Sequence, residues 1–266
     1  MFEIKILYED NDILVVSKPT GVIVNRADTA AGSTTLQDWA EAHTGIKQSS
    51  GDSDFYSRAG IVHRLDRETS GVLVLAKTEN AFVNLQAQFK SRVVQKKYIA
   101  LVHGSIPNDS GVVEASIARI GAFGKFGIDE SGRESKTEYS VDARFSLSGE
   151  KIDQLVSEND LKLNKNRVSY LKNHANLYSL LSVLPKTGRT HQIRVHMKSE
   201  GYPLVSDLIY DPAKLLKFDL LWCPRLFLHA ERISFKHPSS GETVEFSVEL
   251  PRDLQSALKY LAESSS

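Results

Sequence analysis

Cysteine is nearly absent from this chain. Cys223 stands alone among 266 residues, so no internal disulfide can form and a reducing compartment is expected. Net charge is absent too: 33 Lys+Arg balance 33 Asp+Glu. No overall field draws in nucleic acid, so any case for RNA rests on local clustering of charge. No apolar run approaches the roughly 20 residues of a membrane span. The opening MFEIKILYEDND has no basic stretch followed by an apolar one, so it is no signal peptide. A cytoplasmic protein with no membrane partner is expected. The eight histidines (His43, His63, His103, His174, His191, His196, His229 and His237) make no HExxH or CxxC-type cluster, so no metal site is expected. No GxGxxG or GxxxxGK(S/T) appears, which leaves a nucleotide cofactor without support, and no GxSxG elbow appears. Repeats, heptads and low-complexity tracts are also missing.

What is there is ordinary in bulk: 41% hydrophobic and 25% charged, in a chain long enough for a sizeable core. The organising stretch is residues 61–78, IVHRLDRETSGVLVLAKT. Charged side chains crowd around a Thr-Ser-Gly turn, and the apolar run 72–76 that follows reads as a buried strand. A polar loop ending on a buried strand holds reactive side chains still.

Residues 4–8 and 13–17 read as short strands joined by a turn, followed by the turn Lys18-Pro19-Thr20-Gly21. A short helix is expected over 36–43 and a mobile polar loop over 45–57. Thr78 caps a predicted helix from 79 to about 91, with Phe82, Leu85 and Phe89 along one face. The basic tract Lys90, Arg92, Lys96, Lys97 leads into a strand over 98–102. Residues 58–98 hold eight Lys/Arg against three Asp/Glu, a local bias within a neutral whole. Strands and turns are expected over 112–145, with a Gly-rich hairpin tip at 121–132. Residues 147–175 are polar and read as an excursion from the core, partly helical. A strand over 178–184 precedes a helix capped by Thr190, with Ile193 and Met197 inward and Gly201 as its stop. Strands over 226–235 and 244–248, a helix over 252–262 and a fraying serine tail complete the chain. Short strands interleaved with helices and long loops predict an α+β fold with a mixed, mainly antiparallel sheet.

Asp66, beside Arg64 and Arg67, suits a nucleophile or electrostatic stabiliser, because nearby cations favour the ionised carboxylate. A salt-bridged loop aspartate or a turn cap is the competing reading. Asp66 and Glu68 could be a glycosidase-type pair, but nothing in the sequence sets their separation, and an exposed Glu68 is the better reading. Arg189 and Arg194 flank a helix start and suit a phosphate or a buried carboxylate, or else pair on the surface. Tyr98, after Lys96-Lys97, suits a stacked base or an ordinary core strand.

Taken together, these stretches resemble the RluA family of RNA pseudouridine synthases. The matching segments are 6–21 with its Lys-Pro-x-Gly turn, His63-Arg64-Leu65-Asp66 with Thr69-Ser70-Gly71, and Lys97-Tyr98-Ile99-Ala100. They continue with residues 188–196 (GRTHQIRVH), Leu228-His229-Ala230 and His237-Pro238. Lys96 stands at the outer Lys of the third segment, and Ser206 stands where relatives usually carry Gly. The resemblance implies a pseudouridine synthase fold in a single catalytic domain over 1–266, with no S4-type accessory domain before it and a polar insertion at 147–175. It implies Asp66 as nucleophile, Tyr98 against the uracil and Arg194 pairing with and orienting Asp66. Arg64 would enter the helical stack, with Ile193, Arg189 and Lys97 also on the substrate side. No cofactor or metal is implied. The partner is structured ribosomal or transfer RNA, not DNA, and the chain is expected to be a monomer. A retired RNA-binding or assembly factor and an Asp-dependent base-excising glycosylase are the alternatives.

Overall fold

The computed structural model describes residues 3–26, 34–121 and 125–263. In chain order the strands are β1 Lys5–Glu9, β2 Ile13–Lys18, β3 Ser70–Ala76, β4 Gln95–His103, β5 Ser110–Glu114, β6 Ile117–Arg119, β7 Phe126–Ile128, β8 Lys136–Ser146, β9 Leu177–Pro185, β10 Leu228–Lys236, β11 Thr243–Ser247 and β12 Ala262–Glu263. The helices are α1 Leu36–Thr44, α2 Asp54–Ser57, α3 Glu79–Lys90, α4 Gly149–Glu158, α5 Lys165–His174, α6 Gln192–Ser199, α7 Ala213–Asp219 and α8 Arg252–Leu258. The class is α+β with a mixed, mostly antiparallel sheet, as the sequence predicts. None of the helices among the described residues is long and apolar enough to cross a membrane.

The chain divides into two compact units. The first comprises Met1–Lys97 and His229–Glu249. Here β1, β2 and β3 run antiparallel, with Val15 opposite Val74, and β10 adds to β3 in parallel through His229 and Ala230. Every residue of β3 is buried, which is why its sequence is an unbroken apolar run. Its core joins Val72, Val74 and Ala76 to Phe82 and Leu85 of α3 and to Ile233 and Phe235 of β10. Thr78 caps α3 as expected, accepting from the Ala81 amide. Gly71 has φ 131, and a Cβ there would run into the Ala230 backbone. Only glycine lets β3 and β10 approach this closely.

The 45–57 stretch is not simply a loop. A 3-10 turn at Gln48–Ser50 and helix α2 lie within it, and Phe55 is buried against Phe82. Phe55, with Ile46 and Tyr56 packed on the same cluster, anchors it among small polar residues.

The second unit comprises Tyr98–Leu228 and Leu250–Ser266. Strands β4, β9 and β8 run antiparallel in that order, with β5 and β12 also paired to β8. The 147–175 stretch is more helical than expected and is no excursion from the core. Leu147, Ile152, Leu155 and Leu171 pack with Tyr178, Phe218 and Phe227 in one cluster. Four well-placed apolar side chains suffice to bury one face of α4 and one turn of α5. Strands β6 and β7 pair as a separate hairpin. Part of the expected Gly-rich tip, 122–124, lies outside the described residues, as does the serine tail. Helix α8 stops at Leu258, short of the expected 262, because residues 262 and 263 pair with Ser146 and Phe145 instead.

Candidate active site

The loop that carries Asp66 is fastened at three places, all within the first unit. Its start lies against β3: Ile61 bridges Leu75, and the Val74 amide donates to His63 Nε2 at 3.0 Å. The His63 ring stacks on Phe89 with centroids 4.7 Å apart. Burial pushes this imidazole down to about 3, and the Lys96 ammonium acts in the same direction. His63 is therefore a neutral bracket at neutral pH and no proton carrier. Burial also draws Lys96 down, to about 8.

The middle of the loop is held by the turn after β2. Lys18 is fully buried, and its Nζ donates to the carbonyls of Pro19 at 2.9 Å, Val22 at 2.8 Å and Arg67 at 3.1 Å. The Gly21 amide donates to the same Arg67 carbonyl at 2.8 Å. Thr20 Oγ1 donates to the Glu68 carbonyl at 2.8 Å, and Arg67 Nε returns a bond to the Gly21 carbonyl at 3.3 Å. The two peptide groups after Asp66 are thus tied to Lys18-Pro19-Thr20-Gly21. Asp66 is half-buried, its carbonyl accepts from the Thr69 amide, and Arg64 is exposed.

The end of the loop is locked by a histidine from β10. Ser70 Oγ lies 2.9 Å from His229 Nδ1, and His229 Nε2 lies 3.1 Å from the Val248 carbonyl. A carbonyl only accepts, so Nε2 carries the proton, and in the neutral ring Nδ1 accepts from the Ser70 hydroxyl.

In the second unit, α6 carries Arg194 into the interior. Thr190 does not cap this helix. The cap position is His191, at φ 56 and with no side-chain capping bond. Gln192 instead organises the preceding turn: its Oε1 accepts from Thr187 Oγ1 at 2.6 Å and from the Arg189 amide at 3.0 Å. Arg194 is 1% exposed and meets Asp207, 0% exposed, through two bonds of 2.7 Å, Nε to Oδ2 and Nη2 to Oδ1. Asp207 Oδ1 also accepts from the Ile209 and Tyr210 amides. The Arg194 guanidinium lies 5.1 Å from the Tyr210 ring.

Tyr98 faces Val183 across β4 and β9, and packs, half-buried, against the cluster that includes Ile193. Arg189 donates to the Glu134 carbonyl and lines a cavity of about 340 Å³ with Arg119, Arg133 and Phe126. Lys97, in the first unit, pairs with Glu231 at 2.9 Å. Of the residues singled out from sequence, Arg64 and Asp66 therefore share one loop, Tyr98 and Ile193 share one apolar cluster, and Lys97 serves an ion pair.

Lys18, His229 and Asp207 were not singled out from sequence, although Lys18 and His229 stand inside quoted segments. The signal was available for two of them. Lys18 closes an apolar strand and His229 sits between Leu228 and Ala230. A polar side chain carried inward by such a run must find a partner.

The profile of the family described as RNA pseudouridylate synthase matches residues 12–199. An uncharacterised RNA pseudouridine synthase of Mycobacterium bovis is 39% identical over 96% of this chain and 72% of its own length. The ribosomal large subunit pseudouridine synthase D of Zymomonas mobilis is 35% identical over 97% of this chain and 73% of its own. For synthase C of Haemophilus influenzae the figures are 35%, 98% and 70%. The solved structure of human RNA pseudouridylate synthase domain containing 1 superposes with TM-score 0.68 at 26% identity, covering 99% of this chain and 89% of that one.

Proposed function

The chain belongs to the RNA pseudouridylate synthase family, and from that premise we propose that it isomerises uridine to pseudouridine in the RNA of the large ribosomal subunit, with Asp66 as nucleophile. The observation that carries the proposal is the anchoring of the Asp66 loop. A reacting carboxylate must be held to within a fraction of an ångström. Here the flanking peptides are fixed by Lys18, by the 18–21 turn and by His229. The similarity to synthases C and D across nearly the whole chain supports ribosomal RNA over transfer RNA.

The reaction breaks the bond from N1 to C1′, turns the base, and joins C5 to C1′. The C5 proton is lost and N1 gains one, so the formula is unchanged and no redox or group-transfer cofactor is called for. Asp66 supplies the nucleophile that splits this exchange into two steps. A uridine in folded RNA must first leave its stack, at a cost of about a few kcal/mol. Arg64, exposed on the same loop, is proposed to fill the space it leaves. Tyr98 is proposed as the ring that packs on the uracil, and Arg194 as an orienting cation. The family match runs through both compact units, which supports reading residues 1–266 as one catalytic domain.

The test is incubation of the purified chain with large-subunit ribosomal RNA transcripts, followed by mapping of pseudouridine. Wild type is expected to modify a defined uridine, and Asp66→Asn is expected to bind the transcript and make none. Turnover by Asp66→Asn would remove Asp66 as nucleophile, and release of free uracil would replace isomerisation with base excision.

A further inference from the structure

Behind the turn that holds Arg194 lies a second constellation, which no step of the isomerisation uses. His103 ends β4, Asp219 ends α7, and Asp211 closes the turn that Asp207 opens, its amide bonded to the Asp207 carbonyl at 3.0 Å. All three belong to the second unit. They are 4%, 0% and 8% exposed respectively. His103 Nε2 lies 2.9 Å from Asp219 Oδ2 and 3.5 Å from Asp211 Oδ1. One donor atom from each lies within 4.8 Å of the others.

The carboxylates are poorly satisfied. Both oxygens of Asp211 and Oδ1 of Asp219 are buried and have no hydrogen-bond partner among the described residues, and neither does His103 Nδ1. Buried polar atoms are paired in the great majority of cases, and an orphaned buried carboxylate is costly. Charge counting sharpens the point. With both carboxylates ionised, even a fully charged imidazolium leaves a net negative charge in the core, and burial beside Asp219 accordingly pushes the Asp211 carboxyl up.

We propose that His103, Asp211 and Asp219 form a structural site for a zinc-class divalent cation. A neutral imidazole with two carboxylates and one divalent cation sums to zero charge. One nitrogen and two oxygens suit zinc, or its cobalt surrogate, whereas magnesium and calcium favour all-oxygen shells. Ligands about 2.1 Å from such an ion lie about 3.0–3.4 Å from one another, and the two measured separations bracket that range. The ion joins the end of β4, the end of α7 and the 207–211 turn, and so braces Asp207 where it grips Arg194.

The contrast with the molecule's other carboxylate–histidine group is instructive. Asp10, Asp12 and His237 also cluster, half-buried. There Asp10 accepts from the Tyr8 hydroxyl, the Asp12 and Ile13 amides and His237, and Asp12 accepts from Ser239. That group is satisfied by the chain alone and needs no ion. The 103–211–219 site escapes a sequence search because no short motif joins donors so far apart.

The experiment uses untagged full-length protein. Elemental analysis as purified is expected to find about one zinc-class ion per chain. After chelation in denaturant, refolding with zinc is expected to give a higher melting temperature than refolding with magnesium or with no metal. Refolding with cobalt(II) is expected to give visible d–d absorption. Asp211→Asn and Asp219→Asn are expected to weaken cobalt binding at least tenfold, with far-ultraviolet circular dichroism checking that each folds. His237→Gln is expected to bind as wild type does. Protein that holds no metal as purified and shows no cobalt spectrum or thermal response on refolding overturns the proposal. Folded Asp211→Asn that binds cobalt unchanged also overturns it, as does loss of binding in His237→Gln.

Discussion

Replacing Asp207 by Asn tests whether a buried ion pair carries the second unit's stability as well as its chemistry. The substitution keeps the shape and one acceptor oxygen but removes the charge that faces Arg194 through two 2.7 Å bonds. Both partners are sealed from water. Breaking one side of such a buried pair costs about 3–5 kcal/mol. Asn can still accept from the Ile209 and Tyr210 amides, so the lower end, about 3 kcal/mol, is expected. For a urea slope of about 3 kcal/mol per molar, that moves the unfolding midpoint down by about 1 M. Trp222 fluorescence is the readout, since Trp222 sits in this unit's core. A loss below about 1 kcal/mol would refute the reasoning, because it would mean the pair is not desolvated as its burial implies. The double variant Arg194→Met, Asp207→Leu separates stability from function. Apolar replacement of both partners is often neutral or stabilising, but Leu leaves the Ile209 and Tyr210 amides without their acceptor, so only part of the lost stability should return, and pseudouridine formation is expected to be lost. A double variant less stable than Asp207→Asn would place the cost in the two stranded amides and the packing and not in charge.

Other outcomes follow from the first unit. Lys18→Met takes the donor from the Pro19 and Val22 carbonyls, while the Arg67 carbonyl keeps the Gly21 amide; a loss of about 2–4 kcal/mol is expected, with activity falling further than stability explains, as read by denaturation and pseudouridine mapping in parallel. Gly71→Ala drives a Cβ into the Ala230 backbone from a φ of 131; folded yield should drop sharply, and a normal yield would contradict the close approach of β3 and β10. His63 titrates lower in the fold, at about 3, than its ordinary 6.5, so the unfolded chain binds the extra proton first. The His63 contribution to stability should therefore be full above pH 6.5 and decline as pH falls from there towards 3, and the decline should be shallower in His63→Gln, measured by urea midpoints across that range. Arg64→Ala should impair modification of structured RNA more than of an unpaired oligonucleotide, and equal losses on both would remove the proposed flipping role.

The loop and strand at 61–78 were legible because their signals are local. Charged residues, a Thr-Ser-Gly turn and an apolar run sit side by side, and the strand emerged as Ser70–Ala76. The α3 cap at Thr78 was legible for the same reason. What stayed hidden is held by distant partners. Lys18 reads as half of a turn dipeptide until Arg67 arrives 49 residues later. Asp207 reads as a loop aspartate until α6 brings Arg194 against it. The cap of α6 was misplaced because His191 takes a left-handed conformation uncommon for any residue but glycine, with Gln192 supplying the order expected from Thr190. The 147–175 stretch misled because composition was weighed over placement: few apolar residues, but Ile152 and Leu155 stand on one face of α4.

The bond between Ser70 and His229 spans 159 residues. On a ribosome adding about 5–20 residues per second, those two residues are made roughly 8–30 s apart. During that interval the Asp66 loop has its Lys18 clamp but lacks its far lock, and β3 lacks the strand that Gly71 was shaped to admit. The last lock on the Asp66 loop is therefore fitted from a strand made long after it. A partly synthesised enzyme, still attached to a machine made of the very class of RNA proposed as its substrate, is held short of its working geometry until β10 has been made.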